Sequence, residues 1–186
     1  MKVQAVLALS VILLGPSVFA QSAEAMQKHL AVEAEAVRPW GSDKVFVAAV
    51  KAQNSQGVTL AEIQRIDKEW MEGKREALVK EITTSPCAAR LKQLVSERSA
   101  IGESFVMDDQ GALVCATDKT SDYWQGDEAK WQRSYDGGKG ALFIDRPKFD
   151  ESSNENLAQI SFPVLDGSKV IGAITVGIEL KKLPGK

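Results

Sequence analysis

Between residues 103 and 180 the apolar residues switch from a helical period to the period of two that belongs to strands, and this switch limits the possible folds more than any other feature. Phe105-Val106-Met107 and Ala112–Ala116 flank Asp108-Asp109-Gln110-Gly111, a turn-rich tetrapeptide that predicts a hairpin. Gly140–Asp145 reads as a third, short strand. Leu157–Leu165 alternates, with Ile160, Phe162 and Val164 on one face and Gln159 and Ser161 on the other. Asp166-Gly167-Ser168 then turns the chain into Lys169–Glu179, where Val170, Ile174, Val176 and Ile178 oppose Ala173, Thr175 and Gly177. Small residues along one strand face admit a close neighbour, either a packed helix or a ligand.

The first half has the helical period. Gln21–Asn54 is rich in Ala and Glu and is interrupted at Pro39-Trp40-Gly41, where proline removes an amide donor and crowds the preceding turn. Asp43–Gln53 resumes with Val45, Phe46, Ala49 and Val50 on one side. Thr59-Leu60-Ala61-Glu62 is a capping box that opens a helix through Ile63, Ile66 and Trp70. After Gly73 another helix carries Ala77, Leu78 and Ile82, and Ser85-Pro86 starts a third with Leu91, Leu94 and Val95 inward. Helices followed by five antiparallel strands predict an α+β domain.

Met1–Ala20 has the layout of a cleaved secretory signal: Lys2, an apolar run over Val3–Leu14, a break at Gly15-Pro16, and Val18-Phe19-Ala20 before Gln21. The run is shorter than the roughly 20 residues a membrane-spanning helix needs. The remaining chain is predicted to be periplasmic, without membrane insertion. A formal net charge of −2 with interspersed signs lacks the basic stripe that nucleic acid demands. In an oxidising compartment the two cysteines, Cys87 and Cys115, invite a disulfide that would stabilise the domain by about 3–4 kcal/mol. The alternative is two buried thiols. Two cysteines so far apart, with the lone His29, make no zinc site. Asp108-Asp109 lacks the oxygen count of a calcium loop, and a turn accounts for it. No metal and no cofactor is called for.

The segment from Thr117 to Gly138 concentrates aromatic residues between the second and third strands and reads as a lid. Trp131 and Tyr135 are spaced i, i+4 and share a helical face, either as walls of a pocket or as a staple onto the sheet. Tyr123 and Trp124 precede that helix, so one of the two faces inward. Asp127 either caps the helix or meets a cationic ligand. Glu128 suits the positive helix end. Asp145, at the end of the third strand, lies beside the lid. The candidate ligand-binding residues are therefore Tyr123, Trp124, Asp127, Trp131, Tyr135 and Asp145. Catalysis finds no motif: the single histidine lies in the helical half, and no serine sits in a Gly-x-Ser-x-Gly elbow. The chain is read as a non-enzyme.

Three groups of residues resemble one family. Phe105-Val106-Met107-Asp108 with Gly111 and Cys115-Ala116-Thr117 resembles the opening hairpin of the extracytoplasmic PAS-like sensor modules called Cache or PDC domains. Thr120 to Glu128 with Trp131 resembles their lid, and Phe162-Pro163-Val164, Asp166-Gly167 and Val170-Ile171-Gly172-Ala173 resemble their closing hairpin. After the signal peptide over residues 1–20 and the helical arm over 21–73, the resemblance implies a sensor domain over 74–183, with a five-stranded sheet holding a small organic ligand under an aromatic lid. The lid departs from the amino-acid-binding version, which carries Arg-x-Trp-Tyr: Ala129 and Gln132 stand around Trp131. Such domains serve chemoreceptors, histidine kinases and cyclases. With no second apolar span, occupancy would pass to a membrane-bound receptor, kinase or cyclase. The alternative function is a ligand-free periplasmic interaction module, for which Trp40 beside Pro39 and Gly41 would be the docking feature.

Overall fold

The computed structural model describes residues 16–150 and 155–183, so most of the predicted signal, residues 1–15, lies outside the described residues. Helix α1 (Pro16–Val37) ends just ahead of Arg38-Pro39, where Pro39 has no amide hydrogen with which to continue the helical bonding. A 3-10 turn over Arg38–Ser42 follows, and α2 (Lys44–Asn54) begins where the Asp43 carboxylate accepts the Val45 amide at 2.9 Å. Helix α3 (Leu60–Met71) is capped by Thr59, whose hydroxyl accepts the Glu62 amide at 3.3 Å. Glu62 does not return the bond; it pairs with Arg65 instead. Helix α4 (Glu76–Thr84) leads into α5 (Pro86–Ser96), with Ser85 as cap and Pro86 at the first position.

Strands β1 (Ile101–Met107) and β2 (Leu113–Ala116) form the first hairpin, followed by α6 (Ala129–Tyr135), β3 (Phe143–Ile144), β4 (Lys148–Asp150), β5 (Glu155–Asp166) and β6 (Lys169–Glu179). The antiparallel sheet runs β2-β1-β6-β5-β3, and the three-residue β4 adds to β5 as a sixth strand beyond the five expected. Gly167 supplies the positive φ, +64°, in the turn that joins β5 to β6. Among the described residues no helix is long and apolar enough to cross a membrane.

One face of the sheet is closed by helices. Leu30 and Ala34 of α1, Phe46 and Val50 of α2, and Leu91 of α5 are buried against Val106, Ile160, Phe162, Val164, Ile174, Val176 and Ile178. Cys87 at the start of α5 is bonded to Cys115 of β2 across this same layer, with the Cα atoms 5.8 Å apart. Trp40, which the sequence offered as an exposed docking residue, is only 8% exposed and lies in this core. Gly41 beside it lies so close to the Pro163 carbonyl that a side chain would collide. The tight turn therefore presses the indole inward, which removes the docking role.

The opposite face is closed differently. Ile63 and Trp70 of α3 and Ile82 of α4 pack with Phe105, Met107, Leu113, Tyr123 and Ala173 near the β1–β2 turn. Further along the strands the cover is the segment between β2 and α6, and beneath it the sheet sets Glu103 and Gln159 beside Phe105 and Leu157.

Candidate functional site

The segment over residues 117–128 is hung from the helices and the first hairpin rather than resting on its own contacts. One carboxylate oxygen of Asp67, on α3, accepts the amides of Tyr123 at 2.8 Å and Trp124 at 3.0 Å. The Trp70 indole donates to the Thr120 carbonyl at 3.0 Å, and its ring lies 5.9 Å from that of Tyr123. Gly111 and Gly126 meet back to back. The Gln125 amide donates to the Gly111 carbonyl at 2.8 Å, and a side chain at Gly111 would strike the Gly126 backbone. Gly111 also holds a φ of +85°, so both its conformation and its clearance require glycine.

The aromatic residues pin this segment, and none of the four lines the trough described below. Tyr123 is buried in the core with Trp70, and that burial raises its phenol pKa. Trp124 donates its indole N–H to the Gln110 carbonyl at 2.8 Å, and Trp131 donates to the Asp108 carbonyl at 3.0 Å. Tyr135 stacks on Trp131 with centroids 4.9 Å apart. Asp127 is exposed, and the N-cap position of α6 falls to Glu128, whose side chain makes no capping bond. Asp108 anchors all of this: its carboxylate accepts the Gln110 and Ala112 amides, each at 2.9 Å, and the Gln53 amide at 2.8 Å. Burial raises its pKa, against the pull of those three bonds.

Beside these pins lies a trough of about 330 Å³. Its floor is the sheet: Glu103 and Phe105 from β1, Leu157 and Gln159 from β5. Its roof is Thr120, Ser121, Asp122, Gln125 and Glu128, with Lys130 reaching in from α6. Asp145, Arg146 and Lys148 form the far wall. Of the six candidate ligand residues, the trough takes in Asp145 alone. A smaller hollow of about 210 Å³ shares Glu103, Phe105 and Thr120 and extends along β1 to Thr117, Asp118 and Lys119.

The charges inside are arranged in short links. Lys130, 9% exposed as a residue, sets its ammonium 3.1 Å from Glu128 and 5.3 Å from the centre of the Phe105 ring. Gln159 donates to Glu103 at 3.3 Å. Glu103 lies across β6 at Gly177, where a Cβ would come within 2.6 Å of its Cγ. The small face of β6 thus admits an acidic side chain. Burial works upward on Asp145, but the Lys148 ammonium at 2.8 Å, the Arg146 amide and Arg133 outweigh it, and the net pKa is lowered. Among the described residues no group of three or more His, Cys, Asp or Glu side chains is placed to hold a metal ion.

The alternation along β1 and β5 already placed Gln159 opposite the apolar core, and by the same rule it places Glu103 there. Asp122, Gln125 and Lys130 carry no such signal, because their inward positions depend on a non-repetitive segment.

No protein-family model matches the chain, and no curated protein matches it. Among solved structures it is similar to the sensor domain of the V. cholerae histidine kinase DctB, with 14% identity over 88% of this chain and 55% of that one, and a TM-score of 0.46. It is similar also to the sensory domain of the Campylobacter jejuni chemoreceptor Tlp3 (CcmL) with isoleucine bound, with 14% identity over 86% of this chain and 67% of that one, and a TM-score of 0.40. The ligand-binding domain of the Pseudomonas aeruginosa PAO1 amino acid chemoreceptor PctC, in complex with GABA, matches with 19% identity over 64% of this chain and 57% of that one, and a TM-score of 0.42. The chain spans between about half and two thirds of the length of these domains. The three structures named are sensor or ligand-binding domains of a histidine kinase and of two chemoreceptors.

Proposed function

We propose that this chain binds a small polar organic molecule in the trough, outside the cytoplasm, and that occupancy is relayed to a membrane-bound signalling partner. The carrying observation is the mixed lining of the floor. Glu103, Gln159 and Lys130 gather around Phe105 in a hollow of about 330 Å³, on a sheet whose other face is closed by aliphatic and aromatic side chains. That volume falls in the range of small-molecule sites, roughly 300–1,000 Å³, and an apolar floor with a few converging polar groups is their usual lining. The relay has a physical route. The roof hangs from α3 through Asp67 and Trp70, so a guest that shifts the roof shifts the load on the helices.

A thermal-shift screen of the purified chain against organic acids, amines and purines tests this reading. One class is expected to raise the unfolding midpoint, by an amount corresponding to about 2.7 kcal/mol at a hundredfold excess over Kd. The shift is expected to disappear in Gln159→Leu, which alters the floor without touching the pinned aromatics. The absence of a shift with every class overturns the proposal.

A further inference from the structure

We propose that the molecule the trough receives is an organic cation bearing N–H donors, an amine or a guanidine, whose head meets both the Asp122 carboxylate and the side-chain oxygen of Gln125. This rests on the reading of the trough as a ligand site. Two neighbouring observations point to it, one of charge and one of hydrogen bonding.

Two charged links of the trough are internally matched, and its remaining cation, Arg146, stands on the far wall. Lys130 has Glu128 at 3.1 Å, and Asp145 has Lys148 at 2.8 Å. Asp122 has no such partner among the described residues. Its carboxylate accepts only from neutral groups, the Ser121 hydroxyl at 2.8 Å and the Gln125 amide at 2.5 Å. A half-buried carboxylate met by neutral donors leaves its charge for something else to balance.

Gln125 completes the pattern. The residue is 1% exposed, and its side-chain oxygen has no hydrogen-bond donor. Its orientation is fixed by its surroundings. The amide nitrogen faces two acceptors, the Asp122 carbonyl at 3.1 Å and the Asp122 carboxylate at 2.5 Å, so a flipped amide would set oxygen against oxygen. Buried acceptors in folded proteins are nearly always satisfied, and this one calls for a donor from outside the chain. A protonated amine or guanidine brings positive charge for Asp122 and an N–H for Gln125 Oε1 at the same time. A carboxylate ligand brings neither to this pair: the cations it would meet are Lys130, already held by Glu128, Lys148, already held by Asp145, and Arg146 on the far wall.

The test is calorimetric titration of the purified chain at low salt with four probes of similar length: putrescine, n-butylamine, 1,4-butanediol and succinate. The two amines are expected to bind, and the diol and the diacid are not. Asp122→Asn and Gln125→Met are each expected to weaken putrescine by about tenfold or more, the scale of losing one partner of a desolvated charged contact. Both variants are first checked for an unchanged unfolding midpoint; if one fails to fold, the other decides. If succinate or butanediol binds while the amines do not, the site stands and the cation assignment falls. If putrescine binds equally to wild type and both variants, the assignment falls as well. If the amines are inert but a purine or an acid from the broader screen gives a shift that Gln159→Leu removes, only this inference is lost. Silence across all classes removes the site itself.

Discussion

On one face of β5, Ala158, Ile160, Phe162 and Val164 are fully buried beneath three helices, while on the other Leu157, Gln159 and Ser161 look toward a pinned loop and one short helix. The same contrast runs through β6, where Ile174, Val176 and Ile178 oppose Ala173, Thr175 and Gly177. Both faces come from the same alternating stretches of chain, so the difference lies in what covers them. Helices offer continuous apolar stripes, which interlock with Phe162 and its neighbours and leave nothing to adjust. The loop offers backbone carbonyls and short polar side chains. The buried positions beneath it are therefore held by specific bonds, such as Ser161 Oγ to Thr175 Oγ1 at 2.8 Å. Stability is concentrated on the first face and adjustable chemistry on the second.

The largest effect should come from the helix-covered face. Phe162→Ala empties a fully buried site and is expected to cost about 3–5 kcal/mol in urea unfolding. Gln159→Ala, three residues away on the other face, should change stability by less than about 1 kcal/mol. Similar losses from the two would erase the distinction between the faces. Next is the Cys87–Cys115 bond, which ties α5 to β2 on the rigid side. Replacing both cysteines with alanine should cost about 3–4 kcal/mol and leave ligand affinity unchanged, since neither residue lines the trough.

Asp67→Ala sharpens the comparison from the other side. It frees the Tyr123 and Trp124 amides from one charged acceptor, and about 1.5–3 kcal/mol of local stability should be lost. The loss should appear in hydrogen exchange of residues 120–125, with protection of β5 and β6 retained. Uniform deprotection of the sheet would mean that roof and core unfold as one unit.

How far the sequence reveals this contrast depends on the range of the interactions involved. The strands at Leu157–Leu165 and Lys169–Glu179, the caps at Thr59 and Ser85, and the break at Pro39 are set by nearest neighbours, and local pattern locates them. The inward turn of Trp40 goes with the close approach of its neighbour Gly41 to Pro163, more than a hundred residues away, and a Pro-Trp-Gly triplet alone reads as exposed. Asp67 is an ordinary helical aspartate until the fold carries Tyr123 to it across 56 positions. The aromatic residues of the segment were visible from their identity and spacing. That they use their N–H groups on turn carbonyls, leaving Asp122, Gln125 and Lys130 to line the trough, depends on a loop path with no period to read.

The smallest predicted effect separates the two faces by pH. Asp145 beside the trough and Asp108 in its pinned turn both have folded-state pKa values displaced from the usual one, and they act on stability with opposite sign. Asp145 has a lowered folded-state pKa, so its contribution is fully present above the usual aspartate value of about 3.9 and is lost as pH falls through the folded value. Asp108 has a raised one, chiefly from burial, so the native state holds its proton longer than the unfolded chain does. Its contribution is largest below about pH 3.9 and declines as pH rises through the raised folded value. Asp145→Asn should therefore flatten part of the acid-side loss of stability, and Asp108→Asn should steepen the net rise of stability with pH in the window just above it. Chemical denaturation of the two variants between about pH 3 and 7 measures both slopes. Slopes that change in the same direction would show that the two carboxylates answer to one shared charge environment, and not to a matched link at one end of the trough and a buried turn at the other.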